Sequence, residues 1–292
     1  MKIGILGREI DGWGTQQLET SIQKRGVSSA LFSFSHLTAR VGYQPATSSG
    51  LEDLVRELDA IIVRPVGRGS LEEIIFRMDL LHRFERLGVL VVNPADAIEQ
   101  CADKYHALAL LEENRVPVPR TIVTENLEAA LQGFHELGGD VVLKPIFGSR
   151  GIGSTRISDP NIAERVFSTL LFQHSVLYLQ EFIPHGNSDI RAFVVGTKVV
   201  AAMRRIADSW KTNVSQGANP IAIQLSRELE SLAVKSAGIA GCKVAGVDIL
   251  EGRSGSKIIE LNSQPGWRGL QSVSHVNISD SIVDYIVAEV EK

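Results

Sequence analysis

The sequence predicts an α/β protein that opens on a small parallel sheet and continues into an α+β lid and a strand-rich C-terminal part. Strands and helices alternate over the first 94 residues, which is the βαβ signature of a parallel sheet. The stretch Val116-Pro117-Val118-Pro119 stops any helix and starts a second unit. Two apolar, strand-like runs within 244–262 are joined by the short turn Gly252-Arg253-Ser254-Gly255-Ser256, the mark of a hairpin.

Taken in order, residues 2–7 read as a buried strand, 15–24 as a helix before Gly26, and 29–34 and 60–63 as further strands. Gly4, Gly7, Gly12 and Gly14 invite a dinucleotide reading, but Gln17 stands where the third glycine of G-x-G-x-x-G belongs. Ser70 and Glu73 form a capping box for a helix running through Met78 and Phe84 to Gly88. A strand at 89–92 and the turn Asn93-Pro94 close the first domain, 1–94. The second domain, 95–292, begins with a helical segment containing Asp103 and Lys104. A lid of about 116–183 follows, with strands at 121–123, 141–144, 154–157 and 177–181 and helices near 127–137 and 162–171. The C-terminal subdomain, about 184–292, has strands at 190–195 and 199–204, a polar loop to Asn219, a helix through 225–237, the hairpin, and a last helix at 282–290.

The chain has 292 residues, 44% hydrophobic and 22% charged, without long polar tracts, which predicts an ordered globular protein. A net charge of −4 argues against a general nucleic-acid binder and leaves phosphate contacts to local groups. No apolar run approaches the roughly 20 residues of a membrane span. The two cysteines, Cys101 and Cys242, lie in no C-x-x-C or metal spacing. A soluble, unexported protein of the reducing cytoplasm, with no membrane or nucleic-acid partner, is the expectation.

In the hairpin, pairing at constant sum sets Glu251 opposite Lys257 and Asp248 opposite Glu260, and alternation brings Asn262 to the same face. Two carboxylates and an amide oxygen, without His or Cys nearby, favour a hard divalent ion such as Mg²⁺. A polar strand face pointing at water is the other reading of this segment alone. Lys144, at a strand end, precedes Gly148-Ser149-Arg150-Gly151-Ile152-Gly153, whose backbone N–H groups can approach phosphate oxygens while Lys144 and Arg150 supply charge. It is no Walker A loop, and in isolation it reads equally as a plain glycine hairpin.

These motifs, in chain order Asp103-Lys104, the 141–145 strand with its glycine loop, Gln180-Glu181-Phe182-Ile183, Asp189-Ile190-Arg191, Lys211-Thr212-Asn213, Asp248 and Glu260-Leu261-Asn262, resemble the ATP-grasp superfamily and within it the RimK-like glutamate ligases. The resemblance spans essentially the whole chain and implies an ATP-grasp fold behind a pre-ATP-grasp domain. It implies ATP between lid and C-terminal sheet, with Lys104 and Lys144 near the phosphates, Glu181 and the backbone of Phe182 and Ile183 at adenine, and Asp189 at the ribose. Two Mg²⁺ ions bridged by Glu260, replaceable by Mn²⁺, would clamp the phosphates. Arg191, Arg204 and Arg205 would stabilise the transferring phosphoryl group, since phosphoryl transfer needs positioned positive charge more than a nucleophile. Lys211 departs from the arginine that ribosomal-protein ligases of the family carry before this Thr-Asn pair.

The implied reaction activates a carboxylate as an acyl phosphate and joins it to the amine of L-glutamate. Arg64 and the segment Gly266-Trp267-Arg268 would line the acceptor site, Trp267 by a flat face and Arg268 by a carboxylate clamp. These stretches look most like the branch whose acceptor is tetrahydromethanopterin. Relatives acting on the deazaflavin coenzyme, a ribosomal-protein tail or a carrier protein stay open, as does a non-catalytic ATP-binding module, and a homodimer or homotetramer is compatible with any of them.

Overall fold

The computed structural model describes residues 1–8, 11–148 and 151–292. The N-terminal part runs β1 (Lys2–Gly7), α1 (Trp13–Gln23), β2 (Ser28–Ser33), β3 (Leu37–Ala39), β4 (Thr47–Ser49), β5 (Glu52–Asp53), α2 (Leu54–Glu57), β6 (Ala60–Val63), α3 (Leu71–Arg86) and β7 (Leu90–Val92). The strands order as β2-β1-β6-β7, all parallel. Residues 3–7 of β1 and all of β6 are buried, as strands covered on both faces must be. The capping box is present, with Ser70 accepting from Glu73 N and Glu73 accepting from Ser70 N. The small sheet β3-β4-β5 had no sequence signal, because strands of two or three residues are too short to show a period.

The helical segment after Pro94 is two helices, α4 (Ala95–Ala102) and α5 (Lys104–Glu113). Asp103 separates them and caps α5 by accepting from Tyr105 N and His106 N, so Lys104 is its first residue. Next come β8 (Thr121–Thr124), α6 (Leu127–Glu136), β9 (Val141–Lys144), β10 (Thr155–Ile157), α7 (Pro160–Phe172) and β11 (Leu177–Glu181). They form an antiparallel sheet β10-β9-β11-β8, with Phe134 of α6 and Phe167 of α7 in its core.

The rest comprises β12 (Ser188–Val195), β13 (Lys198–Ile206), β14 (Asn219–Ala222), α8 (Arg227–Ile239), β15 (Val244–Gly252), β16 (Gly255–Asn262), α9 (Arg268–Gln271) and α10 (Ile278–Val290). The antiparallel order is β14-β13-β12-β15-β16, the expected polar loop ending in the edge strand β14. Ile190, Ala192, Val194, Val247, Ile249 and Ile258 pack on Ala233 and Ala237 of α8, which leaves part of the opposite face for polar groups. Cys101 and Cys242 carry free thiols 3.5 Å apart between α4 and the start of β15.

The first and last parts of the chain share one core. Leu18 and Ile22 of α1 meet Ile282, Val283 and Ile286 of α10 there. Asn93, read from sequence as a turn residue, is a buried staple. Its Nδ2 donates to Val244 O at 2.6 Å and to Ser263 O, while its Oδ1 accepts from Lys243 N at 2.7 Å and Val244 N at 2.8 Å. It thereby ties the end of β7 to both strands of the hairpin. Asn93→Ala strands these buried groups without partners, and we expect it to lower unfolding free energy by about 2–3 kcal/mol in equilibrium denaturation.

Candidate active site

Most candidate side chains of β12, β13, β15 and β16 gather on one face of the C-terminal sheet, across a cleft from β9 and β11. Asp189 pairs across the ladder with Arg205, Arg191 with Asp248, Asp248 with Glu260, and Gly246 with Asn262. Opposed residues project to the same side, so these side chains share a face. The hairpin reaches that register by a route the constant-sum rule missed. Gly252 pairs with Gly255, Glu251 with Ser256 and Leu250 with Lys257, around the two-residue turn Arg253-Ser254. Glu251 therefore does not face Lys257. A bulge then leaves Ile259 unpaired and restores Asp248 to a position opposite Glu260. Ile259 lines the cleft as a result, a placement that simple alternation could not forecast.

Asp189, Arg205 and Asp248 are 2%, 4% and 2% exposed and form one ion network with Arg191. Arg205 Nε donates to Asp189 Oδ1 at 2.7 Å, its Nη2 donates to Asp189 Oδ2, and the same Nη2 lies 3.1 Å from Asp248 Oδ2. Arg191 Nε and Nη2 grip both Asp248 oxygens, the latter at 2.8 Å. Burial resists ionisation of Asp248, yet the two guanidiniums outweigh it and hold the carboxyl below its ordinary range. Asp189 keeps a raised pKa because its burial, helped by nearby Asp248, outweighs Arg205. With both its oxygens on Arg205 and a further bond from Thr212, Asp189 has its carboxylate committed to the protein rather than open to a ribose.

Glu260 differs from its neighbours. Among the described residues it makes no hydrogen bond or ion pair, although Lys104, Arg191 and Lys144 all exert charge on it. Burial first, and then Asp248, push its pKa up against those cations. The Asn262 side chain likewise has no partner among the described residues. An unengaged carboxylate and amide oxygen side by side, with no sulfur or imidazole, suit a hard divalent cation. Asp248, the third candidate ligand, would have to share oxygens already held by two arginines.

Cations stand beside this floor from β9 of the lid and from the first turn of α5, which precedes the lid. Lys144 ends β9 and donates to Gln180 Oε1 at 2.6 Å, while burial pushes its pKa down to about 8 despite Glu260. Lys104 donates to Gly148 O at 2.6 Å, and burial lowers its pKa too. Gly151 has φ +68°, and a Cβ there would stand 2.4 Å from Asn213 Oδ1, so glycine is required where the 148–153 loop meets the 211–213 segment. Gly148, Gly151 and Ile152 line the cleft; Ser149 and Arg150 lie outside the described residues. Lys211 lies over the Trp210 ring, its Nζ 5.3 Å from the centroid, and Thr212 is buried.

Phe182 and Ile183 line the cleft beside Gln180 and Glu181. The Glu181 carboxylate is not free for adenine: Lys257 Nζ reaches it at 2.5 Å and Arg120 Nε at 2.8 Å. Burial alone would raise its pKa, but these bonds outweigh burial and hold it at about 2. Arg120, Lys257 and Arg156, whose Cζ sits 3.5 Å over the Phe182 ring, were missed in the sequence because each lies far along the chain from the motif it braces.

Two further expectations are corrected. Arg204 pairs with Ile190, whose side chain is in the α8 core, so Arg204 projects to the face opposite the cleft and pairs with Glu251 at 2.6 Å. Adjacent residues of a strand cannot both face one site, and only Arg205 of the pair does. Trp267 offers no flat face to a ligand, being 2% exposed among Trp13, Phe193 and the Arg64 guanidinium. Gly266 and Arg268 on either side of it are exposed, and Arg64 is half-buried.

Comparison with known proteins matches residues 1–98 to the RimK PreATP-grasp domain and residues 101–286 to the RimK-like ATP-grasp domain. The chain is 34% identical over 293 residues to the tetrahydromethanopterin:alpha-L-glutamate ligase of Methanococcus maripaludis, covering 97% of each. It is 38% identical over 242 residues to the protein of that name in Methanocaldococcus jannaschii, covering 80% of this chain and 81% of that one. Among solved structures, a RimK domain ATP-grasp protein from Sphaerobacter thermophilus superposes with a TM-score of 0.76 at 22% identity, covering 98% and 99% of the two chains. No helix among the described residues is long and apolar enough to cross a membrane.

The Glu181 brace carries a pH signature. Its folded pKa is depressed, so its stabilisation is present above the ordinary carboxyl pKa of 4.5 and fades as pH falls toward about 2. Glu181→Gln should therefore melt below wild type at pH 7, with the gap closing between pH 5 and pH 2 in thermal scans.

Proposed function

The chain belongs to the RimK-like ATP-grasp family, and from that membership we infer that it is an ATP-dependent carboxylate–amine ligase adding L-glutamate to tetrahydromethanopterin, releasing ADP and phosphate. The observation that carries the ligase chemistry is Glu260, an unengaged carboxylate at the floor of a cleft also lined by Lys104 and Lys144. The acceptor rests on the names of the relatives.

Lys104, Lys144 and the backbone of the 148–153 loop bind the ATP phosphates. The backbone at Gln180, Glu181, Phe182 and Ile183 receives the adenine, with Asp189, Lys211, Thr212 and Asn213 closing the cleft around the nucleotide. Glu260 and Asn262, with Asp248 beside them, would hold Mg²⁺, as two ions and replaceable by Mn²⁺, and the bound metal would neutralise charge on the transferring phosphoryl group. Arg191 and Arg205, fixed by Asp248 and Asp189, present positive charge where that group passes. An oxygen of the acceptor carboxylate attacks the γ-phosphorus and ADP leaves. The amine of glutamate then attacks the acyl carbon, phosphate leaves with the C–O bond, and the nitrogen loses a proton. Each step moves charge between bound substrates, so no covalent side-chain nucleophile is needed. Gly266 and Arg268 sit at the acceptor end.

Incubation with Mg-ATP, L-glutamate and tetrahydromethanopterin should yield a product heavier by one glutamyl residue, formed only with ATP. ADP release without that product would redirect the search to another acceptor; no nucleotide turnover with any acceptor would overturn the ligase reading. Glu260→Gln should lower ADP formation by about 10²-fold or more with an unchanged circular dichroism spectrum. Arg191→Ala should lose about 10²-fold in kcat, whereas Arg204→Ala, on the other face, should stay within about threefold of wild type in the same assay.

A further inference from the structure

The chain of 292 residues holds two cysteines, and the fold sets them against each other. They stand 141 positions apart in sequence, with their sulfurs 3.5 Å apart and both thiols free. Residues so distant along a chain meet only where the fold brings them together. Cys101 sits in the last turn of α4, just before Asp103, and Cys242 lies between α8 and β15. All of α5, the lid elements β8 to β11, the strands β12 to β14 and α8 lie between the two.

The contact is fixed from both sides. Cys242 N donates to Ala237 O at 2.9 Å at the end of α8, and the next two N–H groups, of Lys243 and Val244, donate to Asn93 Oδ1. Gly241 has φ +66°, and a Cβ there would stand 3.8 Å from Ala97 Cβ. Ala97 and Cys101 lie one turn apart on the same face of α4, so residues 241–242 run along that face. Cys242 is 4% exposed in one core with Ala97, and Cys101 is half-buried at its margin. The bond to Cys101 first, and then burial, hold the Cys242 thiol well above its ordinary pKa. Cys101 is therefore the sulfur that a dissolved reagent meets first. Neither cysteine lines the cleft.

We propose that Cys101 and Cys242 are a reversible redox pair that closes, on exposure to a low-molecular-weight disulfide, to an intramolecular disulfide clamping α4 to the start of β15. The Cys101 thiolate attacks one sulfur of the reagent, forming a mixed disulfide and releasing the first thiolate. The Cys242 sulfur then attacks the Cys101 sulfur, the bond to the reagent breaks, and the second thiolate leaves. The pair loses two electrons and two protons, and the reagent becomes two thiols. Closing the sulfurs to a bond of ~2.05 Å takes roughly 1.5 Å, within reach of side-chain rotation. The clamp falls just ahead of the α5 turn that carries Lys104. Constraining so long a loop in the unfolded chain stabilises the folded one. Nothing in this chemistry depends on the reaction in the cleft.

The test treats the full reduced chain with oxidised glutathione under native conditions. Expected are the loss of two hydrogens in intact mass spectrometry, the disappearance of both free thiols, and a non-reducing peptide map that joins residues 101 and 242. The melting temperature should rise by about 5 °C or more and return to its starting value with dithiothreitol. Cys101→Ser and Cys242→Ser should each show neither the two-hydrogen loss nor the rise. Retention of both thiols overturns the proposal, as does a stable glutathione adduct on Cys101 of the wild type or a cross-link between chains. A closed disulfide that leaves the melting temperature unchanged or lower is no clamp, and that result overturns it as well.

Discussion

Arg205 donates to two buried carboxylates on neighbouring strands, Asp189 on its own ladder pair and Asp248 one strand further, and Arg191 closes the set from the other side of Asp248. Two anions and two cations, all but Arg191 under 5% exposed, can coexist at such depth only because each neutralises another. Removing any member would leave a bare charge in a low-dielectric interior. The network therefore locks the relative positions of β12, β13 and β15, and with them the floor of the cleft. It also explains why Gly246 carries no side chain, since a Cβ there would stand 2.7 Å from Arg191 Nη1 and push it off Asp248.

Against that saturated network, Glu260 is conspicuous by what it lacks. It sits opposite Asp248 on the next strand, with three cations close enough to shift its titration and none bonded to it. Lys144 is held by Gln180 and Lys104 by the carbonyl of Gly148, so the positive groups are fixed by the lid and not drawn down onto the carboxylate. The outcome is a gap bounded by fixed charge of both signs. Phosphates and their counter-ions fit such a gap because little reorganisation is required when they enter.

The site depends on contacts between distant parts of the chain. Asn93 fastens the N-terminal sheet to the hairpin, Gln264 fastens the hairpin's exit to the end of β6, and α10 returns the chain to pack against α1. Lys257 and Arg120 brace the segment at Glu181 from two separate strands or their flanks. Together these tie the lid, the C-terminal sheet and the N-terminal sheet around one cleft.

Much of this was legible in the sequence. Strand and helix periods marked most elements, Ser70 and Glu73 announced their capping box, and the order of short motifs around Lys144, Glu181 and Glu260 pointed to one family, because local propensity and motif spacing are properties of the chain itself. What a side chain does after the chain folds was not legible. Whether Asp189 is free or paired, whether Trp267 is a platform or a core residue, and which of Arg204 and Arg205 faces the cleft depend on partners tens to hundreds of residues away. The hairpin shows the limit most directly. The pairing of Asp248 with Glu260 could be guessed from the turn, but the turn is shorter than it looked, and a one-residue bulge at Ile259 makes the register come right. A slip of one residue sends a side chain to the opposite face. Sequence thus determined which residues could carry the chemistry, and tertiary structure decided which of them are left unengaged to do it, because engagement is settled by pairing across strands and not along them.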